Sequence, residues 1–181
     1  MIVFSEDFGD RLDLQGEEDG PKLDAKIRDA APDALVVFNL HGVKYLGYSY
    51  SKPTIRKALE RRNRGEYGGR RLVVISELDD QFLEGLSAAL RERKLIMYAA
   101  PSSEAIGREG KLIGRESDVL SETFKALLRK APVTTGTLSQ YLNTSPQNVK
   151  NRIDRLEKMG IVEREKIKSE TGGYEWLNRI V

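Results

Sequence analysis

The chain has no cysteine and a single histidine, His41, in 181 residues. Without thiols there is no disulfide framework, no thiolate nucleophile and no thiolate metal site. One imidazole also leaves no multi-histidine metal centre, so neither a metal nor a cofactor is expected. Carboxylate, serine, lysine and tyrosine chemistry stays open to an enzyme. None of these residues falls in a recognisable catalytic motif, so no catalytic residue is assigned and no enzyme is expected. Long apolar runs are missing too. Nothing approaches the roughly 18 residues that span a bilayer, and Glu6 and Asp7 interrupt the start before a signal-peptide core can form. The expectation is a cytoplasmic chain with no membrane contact.

What is present is the composition of a globular protein, 39% hydrophobic and 32% charged. The length suits one ordinary domain or two small ones. Net charge is +2 but unevenly placed: residues 1–100 hold 16 basic against 17 acidic side chains, and residues 101–181 hold 14 against 11. That asymmetry matters only if the basic residues gather on one element. The chain divides near residue 101, where Pro101, Ser102 and Ser103 follow an apolar run and Gly107, Gly110 and Gly114 punctuate a stretch without sustained periodicity. The spacing predicts a first domain over 1–100, a linker over 101–115 and a second domain over 116–181, with Ile106, Leu112 and Ile113 able to dock the linker on either side.

In the first hundred residues strand and helix patterns alternate. Residues 34–40 and 71–76 are short, β-branched-rich runs of the kind buried on both faces of a covered sheet, and residues 95–98 are a third. Leu23, Ile27 and Ala30, then Ile55, Ala58 and Leu59, then Phe82, Leu83, Leu86 and Leu90 recur at helical spacing and predict three helices. Residues 1–4 and 11–14 read as strands around Gly9 and Asp10. Ser51 before Lys52 and Pro53 reads as an N-cap with proline at the first helical position, and Asp79 or Asp80 as the cap of the third helix. The fold class expected is α/β, a mixed sheet with helices packed on it.

Residues 40–51, Leu-His-Gly-Val-Lys-Tyr-Leu-Gly-Tyr-Ser-Tyr-Ser, join a buried strand to a small-residue turn, a Gly-Val pair, aromatics and a serine before a helix. This pattern resembles the STAS domain, the sulfate-transporter and anti-sigma-antagonist fold, and above all its bacterial STAS-like variant, over residues 1–100. Ser49 matches that family's helix-start serine, Tyr50 the following phenylalanine, and Asn39 stands for an aspartate. The resemblance implies regulatory phosphorylation at Ser49, where a helix N-terminus and Lys52 would favour an added dianion. It also implies a docking surface for a partner such as a histidine-kinase-like ATPase. Read from the residues alone, Ser49 and Ser51 are caps and His41 is a turn or packing residue. Alternation puts one or two of Tyr45, Tyr48 and Tyr50 in the core.

Beyond residue 116 the pattern changes. Ser117 precedes a helix with Leu120, Phe124, Leu127 and Leu128 on one face, ending near Pro132. Thr134 or Thr135 opens a short helix with Leu138, Tyr141 and Leu142 inward. After a turn at residues 143–145, Ser145 caps a further helix with Pro146 at its first position, and Gly160 stops it. Val149, Ile153, Leu156 and Met159 repeat along it. Residues 161–167 and 174–180 can pair as antiparallel strands across a turn at 168–173, which makes a wing. Residues 134–164 closely resemble the winged helix-turn-helix domains of prokaryotic transcriptional regulators, an α+β unit.

On a helix turning 100° per residue, Gln147, Asn151, Asp154 and Lys158 share the outer face, flanked by Lys150 and Arg155. Glutamine and asparagine can pair bidentately with adenine, while lysine and arginine neutralise phosphates or read guanine. Gln147, Asn148, Lys150 and Asn151 stand at the start, nearest the bases in the usual docking. Lys166 and Lys168 extend the surface along the wing; Asp154 opposes it, and Glu163, Glu165 and Glu170 dilute it. Arg152 lies nearer the packed side. The sequence thus predicts a transcriptional regulator binding double-stranded DNA, acting as a homodimer. The competing class is an adaptor in a kinase or anti-sigma-like partner-switching pathway, with the winged helix making protein contacts.

Overall fold

The computed structural model describes residues 1–115, 117–168 and 173–181. Its centre is a five-stranded mixed sheet of β1 (Ile2–Val3), β3 (Leu35–Asn39), β5 (Arg71–Ile75), β6 (Ile96–Ala100) and β7 (Lys111–Gly114), in that spatial order. The first four are parallel, and β7 runs antiparallel to β6. A separate parallel ribbon pairs β2 (Arg11–Leu12) with β4 (Tyr45–Leu46). The expected strands at residues 1–4 and 11–14 are therefore shorter and lie in different sheets. Phe4 opens a one-turn helix, α1 (Phe4–Asp7), because its ring turns into the core against Phe38.

Because the parallel strands follow one another in chain order, right-handed crossovers carry every connecting helix to the same face. Those helices are α2 (Gly16–Asp29), a helical run from α3 (Tyr48–Ser51) through a π-helical turn (Lys52–Arg56) to α4 (Lys57–Asn63), and α5 (Asp80–Glu92). Val36, Phe38, Leu72, Val74, Met97, Ala99 and Ile113 point to that face and pack on Leu23, Ile27, Ile55, Leu59, Leu83, Leu86 and Leu90. Asp79 caps α5 by accepting from the Phe82 N–H at 2.7 Å. Ser51 is no N-cap, however. The helical run begins three residues earlier at Tyr48, drawn there by the fully buried Tyr50, and Ser51 Oγ donates to the Gly47 carbonyl at 2.9 Å. Pro53 then falls inside the run, where the π-helical turn accommodates its missing N–H.

Residues 111–114, within the stretch read as a linker, form the edge strand β7. Its flanking glycines serve close approach of backbones. A Cβ on Gly110 (φ +138) would stand 2.2 Å from the Ala99 carbonyl oxygen, and one on Gly114 (φ +102) 2.3 Å from that of Leu95. The loop before β7 gathers on Tyr98, whose hydroxyl donates to the Glu109 carbonyl at 2.7 Å and accepts from the Gly107 N–H at 2.9 Å.

The other face of the sheet, bare of crossover helices, presents Val73, Ile75, Ile96, Tyr98, Ala100 and Leu112. The C-terminal unit covers it. This unit comprises α6 (Asp118–Lys130), β8 (Val133–Thr134), α7 (Thr135–Tyr141), α8 (Pro146–Lys158), β9 (Val162–Lys168) and β10 (Tyr174–Ile180). Leu120, Phe124, Leu127, Leu138, Val149, Ile153, Leu156 and Ile180 join the sheet residues in one continuous core, with Tyr98 and Phe124 edge to face at 5.2 Å. Two polar ties close the same seam. Arg71 pairs with Glu163, and Arg62 on α4 donates to the Lys158 carbonyl at 2.5 Å.

Away from the seam, Asp24 ties α2 to α4. Burial alone would raise its carboxyl pKa, but donors from Tyr67, Arg61 and Arg28 outweigh that and lower it from 3.8 to about 2. A depressed folded-state pKa contributes stability that is complete above the unfolded value and lost as pH falls through the folded one. Asp24→Asn is therefore expected to cost on the order of 2 kcal/mol at neutral pH, and to flatten the stability decline between about pH 4 and pH 2, both read by urea denaturation across pH. An unchanged pH profile would remove Asp24 from the acid response.

Candidate nucleic-acid interface

Local sequence sets up the helix-turn-helix. Thr134 Oγ1 accepts from the Thr137 N–H at the start of α7, and Ser145 Oγ accepts from the Asn148 N–H at the start of α8, each at 3.2 Å. Pro146 occupies the first position of α8, as its fixed φ favours. Asn143, in the turn between the helices, adopts a left-handed φ of 48°. At the far end Gly160 (φ +66) completes a Schellman motif: the Gly160 N–H bonds the Glu157 carbonyl at 2.8 Å and the Ile161 N–H that of Leu156 at 2.9 Å.

Within α7 the expectation that Tyr141 points inward does not hold. Its ring is 47% exposed and lies under the Lys130 ammonium at 5.1 Å. The small Ser139 is buried in its stead, its hydroxyl bonding the Gly136 carbonyl at 2.7 Å. The wing also has a third strand that the sequence reading lacks, β8, paired to β10 through Asn178↔Val133. Fully buried Asn178 donates to the Val133 carbonyl at 2.9 Å.

Val149, Ile153 and Leu156 bury the inner side of α8, which leaves Gln147, Asn148, Lys150, Asn151, Arg155 and Lys158 exposed on one element. Gln147 Nε2 donates to Asn151 Oδ1 at 2.9 Å, so the two amides project as a linked pair from successive turns. Asn148 donates to Thr144 Oγ1 at 3.4 Å. Arg152 turns toward α6, donating to Thr123 Oγ1 at 3.2 Å, with its stem partly buried.

Asp154, which opposes phosphate in the sequence reading, is already neutralised. Lys150 lies 2.9 Å from one carboxylate oxygen and Arg164 of β9 lies 2.7 Å from the other. These partners, Lys150 first, hold its pKa below the ordinary carboxylate value. Arg164 also reaches Glu157 and covers the Trp176 ring at 5.4 Å. It thereby laces α8 to the wing. Nothing in one-dimensional spacing singles out Arg164, because its partners belong to two elements whose register comes only with the hairpin.

That register also sorts the wing charges. Side chains alternate between the faces of a strand, and directly opposed residues share a face. Trp176 opposes Lys166, Tyr174 opposes Lys168, and Asn178 opposes Arg164. Arg164, Lys166 and Lys168 thus lie with Tyr174 and Trp176 on the front, continuous with α8. Glu163 and Glu165 lie on the back, where Arg71 and Arg179 pair with Glu163. The acids of β9 do not dilute the basic face. The turn at 169–172, with Glu170, lies outside the described residues, as does Glu116 at the expected domain boundary.

The STAS-like candidates map elsewhere. Ser49 is exposed in the first turn of α3, while Tyr50 is core and Tyr45 and Tyr48 are surface residues. Tyr48 donates to Glu92 at 2.9 Å. His41 braces a turn: its N–H donates to Asn39 Oδ1 and its Nε2 lies 3.0 Å from the Pro101 carbonyl. Among the described residues no group of three or more histidine, aspartate or glutamate side chains gathers to hold a metal. No helix there is long and apolar enough to cross a membrane.

Residues 120–175 match a family model described as an HTH domain, so a helix-turn-helix domain forms the C-terminal part of the chain. Among solved structures, a possible transcriptional regulator from Methanosarcina mazei Go1 is 22% identical over 36% of this chain and 57% of that one, with a TM-score of 0.33. The chain spans little more than half the length of that protein. No curated protein matches it.

Proposed function

We propose that this chain is a sequence-specific DNA-binding transcriptional regulator, with the winged helix of residues 116–181 reading duplex DNA and the STAS-like layer of residues 1–100 supplying signal input, partner docking or dimerisation. The observation that carries this reading is the sorted charge: exposed amides and cations on α8 run into a basic wing front while the acids of β9 face away. Gln147, Asn148 and Asn151 take the base edges, and Lys150, Arg155, Lys158, Lys166 and Lys168 take phosphates.

The test is anisotropy binding of the full chain to pooled genomic duplexes across a salt series. Lys150→Ala is expected to weaken binding to all sequences and to reduce the salt slope by about 1. Asn151→Ala is expected to cost about 1–3 kcal/mol on the preferred fragments only. Equal losses on preferred and random DNA would take Asn151 out of base readout. If reversing the α8 charges leaves DNA affinity unchanged yet abolishes capture of a partner, the adaptor reading replaces this one. Phosphorylation of Ser49 is part of the proposed input, and intact-mass analysis of protein from native cells showing only the unmodified chain would remove it.

A further inference from the structure

We infer that the wing front is a base-stacking platform, and that the preferred ligand is duplex DNA with a single-stranded flank, one unpaired base of which lies against Trp176. The inference rests on the DNA-binding reading and adds to it the kind of DNA. Along the front, Arg164, Trp176, Lys166 and Tyr174 alternate cation and ring. The Arg164 guanidinium lies 5.4 Å from the Trp176 centroid, and the Lys166 ammonium lies 4.3 Å from that of Tyr174. The rings stay open to solvent all the same, Tyr174 by 70% and Trp176 by 46%. Each ring holds a cation yet keeps exposed surface beside it, so the basic front also offers aromatic area that phosphate neutralisation by the cations does not need.

A nucleic acid supplies what such a surface binds, a planar π-face next to an anionic backbone. In a duplex those faces are hidden in the stack and only base edges and phosphates are presented, so a ring can stack on a base face only where that base is unpaired. The geometry provides the place. A cavity of about 300 Å³ opens between Trp176, Arg164 and the acidic Glu175 on the wing, Gln147 and Lys150 at the start of α8, and Thr134 at the start of α7. That volume is at the lower end for small-ligand pockets. It adjoins the end of α8 that enters the groove in the usual docking, so a strand leaving the duplex there meets Trp176 first and Tyr174 beyond it.

Trp176 is the only tryptophan in the chain, which makes its emission a reporter of this site alone. Affinity of the full chain and its variants is read by anisotropy of labelled DNA, a blunt random-sequence duplex and the same duplex carrying a short single-stranded tail on either end, at one salt concentration, and Trp176 emission is followed in the wild-type chain. Tailed DNA is expected to bind roughly tenfold tighter than blunt DNA and to quench Trp176 emission, which blunt DNA leaves unchanged. Trp176→Ala is expected to abolish the preference while keeping blunt-duplex affinity, and Trp176→Phe to restore most of it. Those variants separate stacking from a merely structural part in the hairpin, since hairpin damage would lower both affinities together. Equal affinity for the two DNAs in the wild-type chain, or a preference that survives Trp176→Ala, overturns the platform and leaves the DNA-binding reading standing. Failure to bind either DNA at low salt overturns both.

Discussion

Replacing Phe124 with alanine is expected to cost about 3–5 kcal/mol and to lower the stability of the central sheet and the winged helix together. Phe124 projects from α6, is 1% exposed, and meets Tyr98 of β6 edge to face. Truncation removes buried aromatic area from the middle of the layer that joins the two halves. The sheet cannot collapse into the gap, because β6 is pinned between β5 and β7. Urea denaturation followed by far-ultraviolet circular dichroism and by Trp176 emission gives the check. The first probe sees every helix and strand, the second only the wing. Coincident transitions, both shifted to lower urea in the variant, are the expected result. A wing transition that separates from the backbone signal in the wild-type chain would show that the shared core does not couple the halves.

The second large effect is expected at Arg164. Its guanidinium is mostly shielded and bonds Asp154 at 2.7 Å, Glu157, and the face of Trp176. Arg164→Ala leaves two carboxylates on α8 without that partner, next to where phosphates would lie. The acids are partly solvated, so the stability cost is discounted to about 1–2 kcal/mol from that of a fully buried pair. The DNA affinity loss should be of similar size, roughly tenfold at moderate salt, because the repulsion acts directly on the ligand. Arg164→Lys keeps the charge but loses the fork that spans two acids, and should recover only part. Adding Asp154→Asn to Arg164→Ala should restore affinity beyond additivity, the mark of a direct interaction. Anisotropy on the wild-type chain, Arg164→Ala, Asp154→Asn and the double variant reads the cycle. Unchanged affinity in Arg164→Ala with a lowered melting midpoint would confine Arg164 to holding the fold.

Much of this fold could be read from spacing alone. The strands at 35–39 and 71–75 and the helices around Leu23, Phe82 and Phe124 lie where apolar periodicity places them, because one-sided burial leaves its period in the sequence. The cap at Ser145 was equally legible and those at Asp79 and Thr134 were legible to within one residue, since capping is an interaction over three residues. What spacing does not carry is whatever depends on distant chain. Ser51 reads as a cap until buried Tyr50 pulls the helix start back to Tyr48, and Gly110 and Gly114 read as part of a linker until the carbonyls of Ala99 and Leu95 press on them. The same holds at the interface. The exposed side chains of α8 follow from a helical wheel, but Arg164, Trp176 and the sorting of wing charges need the register of β9 against β10. A charge count along the strand cannot separate front from back.

The one-sided winding of the sheet bears on how such a protein is assembled over generations. A DNA-reading module joined by free chain can be traded between proteins, since any sensor will tolerate any reader. Here the winged unit is also the lid of the sheet: Leu120, Phe124, Leu127 and Ile180 close a surface of Val73, Ile96, Tyr98 and Leu112 that no crossover helix reaches. A transplanted winged helix would have to bring a matching apolar back, or the sheet would offer that surface to other chains and aggregate. Changes on the two sides of the seam are therefore expected to arise in compensating pairs, Tyr98 with Phe124 and Arg71 with Glu163 first among them.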